Sequence, residues 1–224
     1  MSGNAGTITA LAIDPALKQR CPRLRVACVQ GSVTVSKSSA ELVGLLQARA
    51  SALAASADSA SHPEIAATRD AYKKLGKDPS RYRGSAEALI RRIAAGKGLY
   101  FINNLVDINN LVSLESFLPI GSYDLSKIEG SILFRVGNAG ESYKGIGKDM
   151  INTADLPVFS DTRGAFGSPT SDSERAMITG NTTRFAIVII SFSGTPDLPR
   201  FALRAQELLR THSSGCELSY SIVE

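Results

Sequence analysis

Two periods of apolar residues alternate along the chain. Leu42, Leu45, Leu46 and Leu53, with Arg49 between them, recur at helical spacing behind Ser38-Ser39 and Glu41, which predicts a helix start there. A second helix is expected from Pro63, with Glu64 in its first turn and Ile65 to Leu75 as its body, stopped at Gly76. Lys77-Asp78-Pro79 is turn chemistry. A third helix follows over Ser85 to Ile93, capped by Ser85 and ended at Gly96-Lys97-Gly98, and Leu203 to Leu209 reads as a closing helix. Strand-like runs lie between them. Leu24 to Val35 is rich in β-branched residues and bends at Gly31-Ser32. Ile132 to Val136, Leu156 to Ser160 and Glu217 to Val223 are shorter, and Gly137 to Gly147 reads as a hairpin. Phe185 to Phe192 is almost wholly apolar, as expected of a central strand buried on both faces. The mixture predicts an α/β (α+β) fold.

Two stretches break these patterns. In Tyr100 to Gly137, Asn103, Asn104, Asp107 and Asn109 interrupt an apolar run, and a short helix is expected only from about Asn110 to Phe117. Polar groups set among apolar ones must find partners in the protein, in water or in a ligand. They read either as turns and caps or as a binding pocket. In Gly164 to Arg175, the side chains of Thr170, Ser171, Asp172, Ser173 and Glu174 all offer oxygen, and Arg175 follows. Ser171 with Glu174 fits a capping box, which accounts for part of that cluster.

Composition narrows the choices. The chain has 224 residues, 43% hydrophobic and 21% charged, which fits one domain over 7–224 behind a small polar tail at 1–6. The absence of a long apolar run and of an export signal points to the cytoplasm, with no membrane partner. Cys21, Cys28 and Cys216 then read as free thiols. Tryptophan is absent and aromatics are sparse, which argues against a base-stacking surface. The net charge of +4 permits a polyanionic partner without requiring one. Arg69 to Lys97 is the most basic segment, and Lys73, Lys74, Arg81, Arg83, Arg91 and Arg92 are the candidate RNA-backbone contacts, a solvated helix face being the other reading. Lys18, Arg20, Arg23 and Arg25 read as a solvated face.

Catalytic devices are mostly excluded. His62 and His212 lie outside both polar stretches, so a Ser-His or Cys-His pair is not expected. There is no G-x-S-x-G, no spacing for a metal and no P-loop around Gly147-Lys148, so neither a metal nor a cofactor is expected. What remains is oxygen and amide chemistry. Asp107 or Asp172 could orient a water, with Thr170 beside them as a third catalytic candidate. Asn103, Asn104, Asp124, Ser168, Ser171, Ser173 and Glu174 are candidates for holding an amino-acid-like ligand, and Arg135 and Arg175 for pairing with an anion. The expected geometry brings the Asn103–Asp107 stretch and the Ser168–Arg175 loop to one wet cavity.

The order Ile102-Asn103-Asn104-Leu105-Val106-Asp107-Ile108-Asn109-Asn110-Leu111-Val112, Leu114-Glu115, Leu118-Pro119, Tyr123-Asp124 and Lys127-Ile128-Glu129-Gly130 resembles the editing domain of the phenylalanyl-tRNA synthetase beta subunit, a B3/B4-type domain. The likeness covers roughly residues 64–192 and suggests a free-standing relative. It implies a three-layer sandwich of mixed β-sheet with helices, and an activity that hydrolyses a wrongly esterified amino acid from tRNA. It departs from the family at three places: Gly121 stands where the family has a histidine, Tyr100 where it has an arginine, and Ile189 near its glutamate. The resemblance therefore implies a deacylase of mischarged aminoacyl-tRNA with a pocket altered from the tyrosine-specific one. The competing expectation is a non-catalytic module that binds an amino acid, an aminoacyl-nucleotide or an RNA end.

Overall fold

The strand over Arg184–Ser191 is the centre of the molecule. In the computed structural model, which describes residues 8–56 and 61–224, the order of elements is β1 (Leu11–Ile13), α1 (Pro15–Arg20), β2 (Arg25–Ser32), α2 (Ala40–Ala54), α3 (Pro63–Lys74), α4 (Ser85–Ala94) and α5 (Asn104–Ser116), then β3 (Ile120–Asp124), β4 (Ile132–Val136), β5 (Ser142–Lys144), β6 (Met150–Asn152), β7 (Pro157–Asp161), β8 (Gly164–Gly167), β9 (Arg184–Ser191), α6 (Leu198–His212) and β10 (Cys216–Val223). The tail at 1–6 and part of the 54–61 loop fall outside the described residues.

Three layers result. An antiparallel sheet has the order β10-β2-β9-β3, with β2 and β9 paired from Arg25↔Ser191 to Ser32↔Arg184. A second sheet, β1-β4-β7-β8, is mixed because β1 runs parallel to β4. The alternation of β9 assigns its two faces. Phe185, Ile187 and Ile189 join Ala27 and Val29 of β2 in a core shared with α2, α4, α5 and α6. Ala186, Val188 and Ile190 join Val26 and Cys28 in a second core with Phe134, Phe159 and Phe166 of the other sheet. With a side chain worth about 1.5–3 kcal/mol when fully buried, a strand apolar on both faces is stable only in this middle layer. The fold is therefore a helix–sheet–sheet sandwich, as expected. Helix α3 runs past both cores, giving Ile65 to the first and Ala71, with Leu75 at its C-cap, to the second. Among the described residues no helix is long and apolar enough to cross a membrane.

The helix starts at Ser39 and Pro63 and the stop at Gly76, where φ is +80°, fall where the sequence places them. Several local expectations need correction. Helix α5 begins at Asn104 rather than near Asn110, because Leu105, Ile108, Leu111 and Val112 form one buried helical stripe and the amides before it are caps. Ser85 does not cap α4: its hydroxyl donates to the Ile120 carbonyl and accepts from the Ile120 N–H, tying α4 to β3. Ser171 and Glu174 form no capping box, since only a 3₁₀ turn, Glu174–Ala176, follows and Ser173 stands at its N-cap. The hairpin lies later than expected, pairing β5 with β6 across Ser142↔Asn152.

Candidate functional site

Helix α5 shows why the first polar stretch looked like a pocket. Asn103 Oδ1 accepts the Val106 N–H at 2.9 Å. Asp107 accepts the Ile102 N–H at 3.0 Å and the Ser38 hydroxyl at 2.5 Å. Asn104 is 1% exposed and ties together three distant backbones: its amide donates to the Thr34 carbonyl at 2.9 Å and the His212 carbonyl at 3.1 Å, and its oxygen accepts the Ser36 N–H at 3.0 Å. These groups hold the helical layer together. The hydroxyl-rich loop packs against Tyr123 and Phe166 on the far side of the β9 sheet, so the two stretches do not meet and the expected common cavity is not formed.

The loop builds a polar cluster of its own. Ser168 follows β8, and its Oγ donates to the Ser171 carbonyl at 2.8 Å while accepting the Ser171 N–H at 3.1 Å, which closes a tight turn. Three tyrosines from three elements reach this turn. Tyr72 of α3 lies 2.5 Å from Thr170 Oγ1, Tyr143 of β5 donates to the Ser171 carbonyl at 2.5 Å, and Tyr123 of β3 donates to Asp172 Oδ1 at 2.7 Å. Lys148 Nζ donates to Ser171 Oγ at 2.8 Å. The Tyr123 ring fits because Gly121 and Gly167 flank it; a Cβ at either position would overlap it. The place where the resemblance puts a histidine is thus filled by the Tyr123 ring.

Burial dominates the electrostatics here. It raises the Asp172 carboxyl from 3.8 to about 7, against the opposing pull of the Tyr123 hydroxyl, the Ser168 N–H and the Lys148 charge. It likewise raises the hydroxyls of Tyr72, Tyr123 and Tyr143, so all three stay neutral donors. Asp172 as a residue is half-buried, while its carboxyl group is the part held inward against the Tyr123 hydroxyl. A carboxyl that titrates near neutrality, within reach of several hydroxyls, can take a proton from water.

The other candidates are engaged elsewhere. Asp124 caps the 3₁₀ turn Leu125–Lys127 through Ser126 and accepts the Thr182 hydroxyl at 2.8 Å. Arg175 forms a two-pronged pair with Asp161 at 2.8 and 3.0 Å. Glu174 pairs with Lys144 at 3.0 Å, and buried Ser173 bridges to Gly145. Arg135 forms a two-pronged pair with Glu141 at 2.8 and 2.6 Å, and that guanidinium holds the Glu141 carboxyl down at about 2. A depressed carboxyl stabilises the fold above its unfolded value of 4.5, and that stabilisation is lost as the pH falls toward 2. Glu141→Gln is accordingly expected to cost about 2–3 kcal/mol at pH 7 and almost nothing at pH 2, as read from urea midpoints at the two pH values.

The basic segment borders the cluster. The Ser85 N–H donates to the Pro169 carbonyl at 2.7 Å, so α4 starts against the hydroxyl loop, and Tyr72 shares α3 with Arg69, Lys73 and Lys74. Buried Glu87 accepts from Arg91 at 2.7 Å and Arg69 at 3.2 Å, with Arg83 Nε at 3.9 Å. Three guanidiniums against one carboxylate leave this corner positive. Arg81 is exposed, Lys73 pairs with Asp70 at 3.4 Å, and Arg92 lies over the Tyr100 ring.

The family profile that matches this sequence is the B3/4 domain, over residues 67–197, more than half of the chain. The chain belongs to the B3/4 domain family. Its match includes both the tyrosine-bearing elements and the hydroxyl loop. The phenylalanine–tRNA ligase beta subunit of Wolbachia sp. subsp. Brugia malayi is 37% identical over 65 residues, 29% of this chain and 8% of that one. Those of Aquifex aeolicus and Chromobacterium violaceum are 48% identical over 44 residues and 44% over 55, covering 6% and 7% of their lengths. The B3/4 chain thus spans less than a tenth of each of these relatives. Among solved structures, an N-terminal fragment of the phenylalanyl-tRNA synthetase beta subunit from Pyrococcus horikoshii is 13% identical with a TM-score of 0.47, covering 97% of this chain and 51% of that one.

Sequence reasoning found the hydroxyl loop but missed Tyr72, Tyr123, Tyr143 and Lys148. Lys148 follows a glycine-rich loop that fits no nucleotide motif, and Tyr143 lies inside a predicted hairpin with no chemical signal of its own.

Proposed function

We propose that this B3/4 chain is a trans-acting editing-type hydrolase that removes an amino acid wrongly esterified to tRNA. The observation that carries the reading is the Asp172 carboxyl, titrating near neutrality among neutral hydroxyl donors and set beside the positive α3–α4 corner. Asp172 as carboxylate accepts a proton from the water that adds to the ester carbonyl. The Thr170 hydroxyl, which can accept from Tyr72, keeps its own proton to donate to the oxygen that gains charge, while Ser168 holds the turn through the Ser171 carbonyl. The ribose oxygen then leaves with the proton from Asp172, giving free amino acid and the tRNA hydroxyl. Arg69, Arg81, Arg83 and Arg91 hold the phosphate backbone, and the neutral hydroxyls of the three tyrosines face the amino acid. Asp107 serves at a distance, fixing the start of α5. This work belongs with translation, in the cytoplasm.

One observation favours the non-catalytic binding module: the hydroxyls of Tyr72, Tyr143 and Ser168 already bond to one another's neighbours, as in a closed recognition surface. A screen of the protein against mischarged and correctly charged tRNAs separates the two. Loss of ester above background, with a rate that rises with pH through about 7 and disappears in Asp172→Asn, is the expected result. A ligand that raises the melting temperature with no ester lost would favour the binding module instead.

A further inference from the structure

Three consecutive large apolar residues stand in solvent between α4 and α5: Tyr100 is 66% exposed, Phe101 43% and Ile102 61%. A connection that only linked two helices would not need them, and contiguous exposed apolar surface marks an interaction site. The Arg92 guanidinium lies 3.8 Å from the centroid of the Tyr100 ring and donates to the Lys97 carbonyl at 3.1 Å, which fixes the ring from one side. Phe101 borders a groove of about 490 Å³, lined also by Gln47, Ala50, Ser51, Gly98 and Leu99, with no acidic residue in its lining. The neighbouring cations are Arg92 and Lys97, with Arg91 paired to Glu87 one turn back and Lys37 next to Ser36, whose carbonyl accepts the Asn104 N–H at 2.9 Å; the carboxylate at hand, Asp107, is buried and engaged by the Ile102 N–H and the Ser38 hydroxyl.

We propose that Tyr100 and Phe101 are a stacking platform for the bases of a single-stranded RNA end, and that α4 leads the strand from this platform to the hydroxyl loop. The proposal rests on the aminoacyl-tRNA reading given above and adds the place where the RNA end is gripped. Exposed rings interleaved with basic side chains suit single-stranded nucleic acid, because every base offers a π-face and every phosphate a charge. An apolar protein partner would use the rings but would gain little from Arg91, Arg92, Lys97 and Lys37. Helix α4 has 10 residues and is about 15 Å long. Its C-terminal end carries Arg92 at the platform, and its N-terminal end meets Pro169 in the loop of Asp172. A strand of a few nucleotides covers that distance along a face bearing Arg83 and Arg91. The sparse aromatic content of the chain thus conceals a local concentration of rings.

The test is equilibrium binding of a fluorescein-labelled hexa-adenylate RNA to the full chain, read by anisotropy over a range of salt concentrations. Tyr100→Ala is expected to weaken binding about ten- to a hundredfold, whereas Tyr100→Phe keeps it. Arg92→Ala is expected to weaken binding and reduce the salt slope by about one. Because Tyr100 is exposed, melting temperatures of the variants should match the parent. Failure of the parent protein to bind the RNA, or equal affinity in Tyr100→Ala, would overturn the proposal. So would a self-associating protein whose dimer is broken by Ile102→Glu while RNA affinity stays unchanged. The RNA carries no ester, so the result is independent of hydrolysis. Binding lost in Tyr100→Ala with no ester cleaved by the parent leaves the platform standing and removes the hydrolase, and cleavage with Tyr100→Ala unaffected does the reverse.

Discussion

Asp172→Asn is expected to abolish ester hydrolysis and, at pH 8, to make the protein harder to unfold. The two effects have one cause. In the unfolded chain the carboxyl titrates near 3.8, and in the folded protein burial raises it to about 7. Between those values the folded state holds a proton that the unfolded state has released. Stability therefore falls as the pH rises through this window, and the whole penalty is present above pH 7. Its size is about 2–4 kcal/mol, from 1.36 kcal/mol per pH unit. Asparagine cannot ionise and keeps an acceptor for the Tyr123 hydroxyl, so the variant avoids the penalty. Urea midpoints at pH 5 and pH 8 should drop for the parent and stay level for Asp172→Asn. Hydrolysis should fall by a factor on the order of 10²–10⁴, the usual contribution of a general base. A variant that is both inactive and less stable at pH 8 would instead mark Asp172 as a structural carboxylate, whose loss disturbs the loop. Gained stability with lost activity is the signature of a charge kept in place for chemistry.

The same residues show what a sequence can reveal. Helices α2 and α3 and strand β9 were legible because their apolar periods run unbroken between local signals, such as Ser39, Pro63 and Gly76. The start of α5 was not, because Asn104 is buried against partners 68 to 108 residues away, and no local pattern announces them. Strand β3 was hidden by Gly121, which breaks the alternation so that the Tyr123 ring can lie over it. Arg135 and Arg175 looked like free anion receptors until Glu141 and Asp161 were seen to engage them. In the candidate site, the run of hydroxyls from Ser168 to Asp172 stood out by composition. Tyr72, Tyr123 and Tyr143 did not, since each belongs to a different element and only the fold brings their hydroxyls to one turn.

Asn104→Ala is expected to lower stability by about 2–4 kcal/mol without altering substrate binding, the result that a structural role for the first polar stretch requires. The side chain is 1% exposed and serves backbone groups from the segment before α2, from the end of α6 and from α5 itself. Its removal leaves the Ser36 N–H and the Thr34 and His212 carbonyls without that partner in a space that alanine cannot fill. Buried unpaired groups cost about 1–3 kcal/mol each, and part is recovered where water enters. Asn103→Ala, by contrast, removes one helix cap and should cost only about 1 kcal/mol. Asn104→Asp should be worse than alanine, because it replaces the donated bonds with a buried charge facing carbonyl oxygens. Denaturation midpoints should fall in the order Asn103→Ala, Asn104→Ala, Asn104→Asp. At a temperature where each variant remains folded, KM for a charged tRNA should match the parent. A raised KM in a variant of parental stability would instead turn Asn104 toward the ligand. The opposite pattern assigns the helical layer to scaffold and leaves the tyrosine–hydroxyl cluster, beyond the β9 sheet, as the remaining candidate site.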